Sequence, residues 1–99
     1  MIVALSRFKV ANGLEEAVAQ AFVDRPRLVE DAPGFLGLEV FSDRTDPSVF
    51  YLSTRWNTES SFRTWHASDA HHSSHRSMPK GLKLDAAFTQ LVVLERLCE

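Results

Sequence analysis

The chain has 99 residues, 44% hydrophobic and 24% charged, which is the size and make-up of one globular domain spanning 1–99. A formal net charge of -2 excludes nucleic acid and anionic membrane as main partners, and no apolar run approaches the roughly 20 residues of a transmembrane helix. The lone Cys98 excludes an intrachain disulfide framework, and MIVALSRF lacks the core of a signal peptide, so a cytoplasmic location is predicted.

Ile2 to Val10 alternates as a strand does, with Ile2, Ala4, Ser6, Phe8 and Val10 on one face. That face is apolar except for Ser6, which places the hydroxyl toward the interior or a pocket. Asn12-Gly13 makes a turn, and Asn12 with Glu15 has the spacing of a capping box. Leu14, Ala17, Val18, Ala21 and Phe22 then trace the stripe of an amphipathic helix. Pro26 interrupts it, Leu28 and Val29 predict one more helical turn, and Ala32-Pro33-Gly34 ends it. A second strand runs from Phe35 to Phe41, with Phe35, Gly37, Glu39 and Phe41 on one face. The polar stretch Ser42–Pro47 is a hairpin loop, and Ser48–Trp56 is a third strand.

Phe62 to His75, FRTWHASDAHHSSH, gathers all 4 histidines of the chain, a tryptophan and an aspartate. Asn57 or Thr58 caps a helix with Phe62 and Trp65 on one face. Ser68-Asp69 is a second start signal, so two short helices meet at an elbow. Ser77–Gly81 is a loop, and Phe88–Leu97 is a fourth strand that can begin as early as Leu82.

Strand, helix, strand, strand, helix, strand is an α+β order. It predicts a ferredoxin-like (βαββαβ) antiparallel sheet with helices on one face. Both faces of FLGLEVF, VFYLSTRW and FTQLVVLERL carry apolar groups, so one helical layer cannot cover them all. Sheet-to-sheet pairing of two copies into a homodimer, a dimeric α+β barrel, is the predicted remedy.

The run FKVANGLEEAVAQAF, the motif PGFLG and the spacing W-x-x-x-x-x-F-x-x-W together resemble the antibiotic biosynthesis monooxygenase family over nearly the whole chain. The closest branch in pattern is that of the bacterial haem-degrading monooxygenases. This resemblance implies haem as cofactor and substrate, oxygen and an electron donor as co-substrates, and Trp65 as the pocket tryptophan. W-x-x-S-D-x-x-x-x-x-H implies His75 as the iron ligand. Where that branch carries an asparagine on the first strand, this chain has Ser6, whose hydroxyl reaches less far than an amide. The same resemblance also implies an alternative, a cofactor-independent monooxygenase acting on a phenolic or polycyclic small molecule.

Read from the residues alone, several roles stay open. Trp65 with Phe62 can be ordinary core, and His75 can be a surface histidine. His71 and His75 at i, i+4, or His72 and His75 at i, i+3, can share a metal ion, with His71 the alternative ligand and Asp69 close by. Arg76 and Lys80 can pair with haem propionates or simply face water. A non-enzymatic dimer that binds a small ligand on the same fold is the remaining alternative.

Overall fold

A computed structural model describes residues 1–99. The elements are β1 (Ile2–Lys9), α1 (Glu15–Val23), a 3-10 turn (Val29–Asp31), β2 (Phe35–Ser42), β3 (Val49–Trp56), α2 (Glu59–His66), α3 (Asp69–His75) and β4 (Gln90–Glu95). The four strands form one antiparallel sheet in the order β2-β3-β1-β4, with β1 central between β3 and β4. This is the ferredoxin-like α+β arrangement that the element order predicts.

Alternation decides which side chains meet the helices. Ile2, Ala4 and Phe8 on β1 pair across with Trp56, Thr54 and Phe50 on β3. Two apolar clusters result. The first is Ile2, Ala4, Val29, Trp56 and Phe62, with Phe35, Leu38, Trp65 and Val93 packed around it. The second is Val10, Val18 and Phe50, with Phe8, Phe22, Met78 and Leu82 against it. Trp56 is fully buried, and its indole N–H donates to Thr54 Oγ1 at 2.9 Å, so the first cluster holds a polar pair that is internally satisfied. Phe35 and Phe62 meet the Trp56 ring edge-on at 5.5 and 5.9 Å.

Four local readings of the sequence need correction. Asn12 does not cap α1, whose N-cap Leu14 makes no side-chain cap bond. Its amide instead donates to Gly81 O at 2.7 Å and accepts from Lys83 N at 3.2 Å, clamping a segment some 70 residues away. On β2 the register shifts between Phe35 and Gly37, so Phe35 joins Leu38 on the helix side and not Glu39 on the other. The first strand stops at Lys9, with Val10 in an isolated bridge to Leu84. The fourth covers only Gln90–Glu95, because a turn at Asp85–Phe88 breaks the pairing. Before that turn, the bonds from Ala11 N to Lys83 O and from Asp85 N to Lys9 O keep the chain beside β1.

Only 10 of the 99 residues are buried, as follows from a sheet covered on one side. The other side presents Leu5, Arg7, Tyr51, Gln90 and Val92 around a shallow hollow of about 220 Å³. Phe41 and Leu94, on the same side, are 49% and 47% exposed. Arg55 lies across this face over Gly37, where any side chain at 37 would collide with its guanidinium.

Candidate functional site

The two clusters leave a row of the sheet between them. Register places Val40, Leu52, Ser6 and Leu91 side by side across β2, β3, β1 and β4. Ser6 and Leu52 belong to neither cluster and are only half-buried, while Leu91 is 40% exposed although it points to the helix side. The segment above this row starts at Trp65, on the first cluster, and reaches Met78, on the second. The elbow of α2 and α3 therefore spans an incompletely filled apolar gap. Ser6 is thus on the helix-facing side, as its place in the β1 alternation predicts.

The elbow is fixed by two caps and one shared hydroxyl. Thr58, not Asn57, caps α2 by accepting from Ser61 N at 3.1 Å. Ser68 caps α3 by accepting from His71 N at 3.2 Å, while its own hydroxyl donates to Trp65 O at 2.6 Å. One serine thereby closes the last turn of α2 and opens the first turn of α3. Neither helix end is left with all its polar groups bare.

Around the elbow the imidazoles stack on one another and on Trp65. His71 is the hub, with ring centroids 4.3 Å from His75, 4.7 Å from His66 and 5.8 Å from Trp65. His72 stands 5.8 Å from His71 and is exposed. His71 Nδ1 is buried and has no hydrogen-bond partner. Burial first, then the neighbouring imidazoles of His75 and His66, hold His71 down to about 4, against an ordinary value of 6.5. His75 is lowered too, by burial first and then by His66 and His72. Both rings are pushed toward the neutral form, the form in which an imidazole donates a lone pair to a metal.

Trp65 is half-buried and does two things. It packs against the first cluster, and it walls a groove of about 360 Å³ between α2 and residues 28–33, where Ala32, Pro33, Thr64 and Ser68 also line the surface. The structure thus brings Trp65, His71 and His75 together at the elbow. Arg76 and Lys80 follow α3, are exposed, and are absent from the ion pairs of the chain. Asp69 is exposed in the first turn of α3. No group of three His, Cys, Asp or Glu side chains converges on a point that could hold a metal ion. Spacing within α3 is enough to foresee the His71–His75 contact. The His66–His71 contact is not foreseeable, because it crosses the break at Ala67–Ser68. The hydroxyl-lined groove is missed as well, since its walls are about 30 residues apart in the chain.

Residues 1–77 match the family described as antibiotic biosynthesis monooxygenase. A haem-degrading monooxygenase of Bacillus cereus is 34% identical over 77 residues, covering 76% of this chain and 71% of the relative. A mycobilin-producing haem oxygenase of Mycobacterium tuberculosis is 26% identical over 80 residues, 79% of this chain and 76% of the relative. Among solved structures, the haem degrader MhuD of M. tuberculosis, with two haems bound in its active site, superposes with a TM-score of 0.80 at 20% identity. The match covers 100% of this chain and 98% of that one. SnoaB, a cofactor-independent oxygenase from Streptomyces nogalater, superposes with a TM-score of 0.78 at 14% identity, covering 99% of this chain and 94% of that one. No helix is long and apolar enough to cross a membrane. With the family pattern covering more than three quarters of its length, the chain belongs to the antibiotic biosynthesis monooxygenase family.

Proposed function

We propose that this chain binds haem and degrades it as a monooxygenase, using oxygen and an external electron donor. The observation that supports the reading is the packing of Trp65, His71 and His75 against one another at the elbow, together with the incompletely buried row of Val40, Leu52, Ser6 and Leu91 on the helix-facing side of the sheet. A flat apolar ring system needs such a gap, and an iron at its centre needs one neutral imidazole at the rim. The donor set fits that group better than a bare ion. A haem brings four ligands of its own and asks one residue of the protein, whereas no three protein ligands converge here. The kinship with haem-degrading relatives supports the same reading.

In this reading His75 is the iron ligand. Desolvation, then His66 and His72, push its ring toward the neutral form, and the residue is exposed enough for a ligand to reach it. Trp65, held by the first cluster and in contact with His71, would wall the bound ring. Arg76 and Lys80, free of carboxylate partners, pair with propionates. Ser6 offers its hydroxyl from the floor of the gap as a hydrogen-bond donor. When bound, haem iron supplies the site at which oxygen is reduced and activated. A second copy covers the face around Leu5, Arg7, Tyr51 and Val92, making the working unit a homodimer.

The groove beside Trp65 favours a second reading. Its volume of about 360 Å³ falls in the range of small-molecule sites, and its walls mix hydroxyls with apolar surface. A cofactor-independent monooxygenase would hold a phenolic substrate there. Titrating the purified protein with hemin separates the two. The haem reading expects a Soret band saturating at one hemin per chain and lost in His75→Ala. Absence of any saturable band refutes it and leaves the phenolic substrate.

A further inference from the structure

The sheet face turned away from the helices carries an apolar knob toward one edge and a hollow toward the other. Phe41, 49% exposed on the edge strand β2, shares a row with Tyr51, Arg7 and Gln90. Those last three line the hollow together with Leu5 and Val92. It measures about 220 Å³, and a cavity of about 150 Å³ already holds a benzene ring. Two charges on this face also lack an opposite one. Glu39, exposed on β2, and Arg7, half-buried on β1, belong to none of the ion pairs of the chain. Arg7 donates through Nε to Phe88 O at 3.1 Å and lies over the Phe88 ring, which leaves the two terminal nitrogens of its guanidinium without an acceptor.

Two such faces, stacked about 10 Å apart, are related by a two-fold axis lying between them. Run across the strands through the row of Glu39, Leu5 and Val92, the axis sets Glu39 directly on Glu39 of the other copy, and like charges facing across an interface repel. Run along the strands between β3 and β1, it lays β2 of each copy over β4 of the other. Phe41 then stands over Gln90 at the rim of the hollow. Leu94, 47% exposed, comes over Gly37, where the Arg55 guanidinium lies in place of a side chain. Glu39 comes over Val92, one row from Arg7 of the other copy. Only this axis gives each knob a hollow and each lone charge an opposite one.

We propose that two copies of this chain pair about an axis parallel to the strands, with Phe41 of each copy seated in the hollow at Arg7, Tyr51 and Gln90 of the other. The inference rests on the homodimer reading and adds to it the axis, the anchoring side chain and an ion pair between Glu39 and Arg7. An aromatic ring sunk in a pocket is the kind of contact that carries most of an interface's energy. Symmetry makes each of these contacts occur twice.

Sedimentation and thiol cross-linking test this, with circular dichroism as the folding check. Phe41→Ala should raise the dimer dissociation constant about tenfold or more, as loss of an interface anchor does. Val23→Ala trims a side chain that is 73% exposed on α1, away from this face, and should leave the constant unchanged. For the axis, cysteines are placed in a Cys98→Ser background and treated with a cross-linker spanning about 10 Å, the distance between stacked sheets. The double variant Glu39→Cys/Val92→Cys should be captured as a covalent dimer. Neither single variant should be, because the axis along the strands holds each position three strand spacings, about 14 Å, sideways from its own copy. A dimer that Phe41→Ala leaves as tight as the wild type overturns the proposal while the homodimer reading stands. Cross-linking of Glu39→Cys alone also overturns it, by showing the axis across the strands. A monomeric wild type removes the homodimer reading, and the inference falls with it.

Discussion

Gly34 is the position where one methyl group should do most harm. It has φ +82, in the left-handed region, and a Cβ built on it would lie 2.7 Å from Ser61 Cβ and in contact with Ser61 Oγ. Its carbonyl also accepts from Asn57 N at 2.8 Å, just before the Thr58 cap of α2. Gly34→Ala therefore meets two separate penalties. Left-handed backbone costs a residue with a Cβ about 1–2 kcal/mol. Forcing a methyl into a packed contact with Ser61 costs about 1–3 kcal/mol more. The expected loss is about 2–5 kcal/mol, a large share of the 5–15 kcal/mol that holds a typical domain. Urea unfolding at fixed protein concentration, with unchanged slope, measures it. Ser61→Gly separates the two terms. It costs about 1 kcal/mol alone as a helix glycine, but in the double variant it should return the steric share as a coupling of about 1–3 kcal/mol. A loss under about 1 kcal/mol for Gly34→Ala, or additivity in the cycle, refutes the reasoning.

Thr54→Val should cost about 1–3 kcal/mol, because it strands the buried Trp56 N–H that now donates to Thr54 Oγ1; an unchanged urea midpoint contradicts this. The apoprotein should lose stability as pH falls from about 6.5 toward 4. His71 has a folded value of about 4 against 6.5 unfolded, so the unfolded chain takes up the proton first, and this contribution is complete only above about 6.5. Stability that rises on acidification through that window has the wrong sign. Val92→Glu puts a charge in the hollow of the open sheet face, and sedimentation should show a dimeric wild type and a monomeric variant; a monomeric wild type removes the argument from the uncovered face. Ser6→Asn should speed loss of the Soret band under a reductant with catalase present. A donor lost or lengthened at developing negative charge typically costs ~2.7–4 kcal/mol, and the amide reaches farther than the hydroxyl. Slower loss in Ser6→Asn than in the wild type shows that Ser6 is not a weakened donor.

Most of the fold is legible because it rests on short-range rules. Alternation places Ile2, Ala4, Ser6 and Phe8 on one side of β1, and the serine–acid pair at 68–69 marks the start of α3. Where the reading misses, a longer-range partner outbids the local one. Asn12 has capping spacing, but an amide that donates and accepts can bridge the backbone of 81–83, and does. Strict alternation puts Phe35 with Glu39, yet the irregularity before Gly37 turns it inward, where Trp56 takes its ring. In the site, Trp65 and His75 are visible from spacing and from family pattern. The orphan nitrogen of His71 is not, since it depends on what Trp65 and His66 exclude from it in three dimensions.

The helix that carries three of the four histidines has no buried residue, and it is secured by the Ser68 cap at its start and by Met78 just beyond its end. Its side chains face the gap and the solvent, and the two apolar clusters close without them. Substitutions along 69–75 therefore alter the histidine cluster with little effect on folding. Descendants of such a chain can trade an imidazole for an apolar or acidic group there, one step at a time, while every intermediate still folds. A scaffold with its histidine-bearing rim so weakly tied to its stability is open to new ligands in a way that the Trp56 end of the same sheet is not.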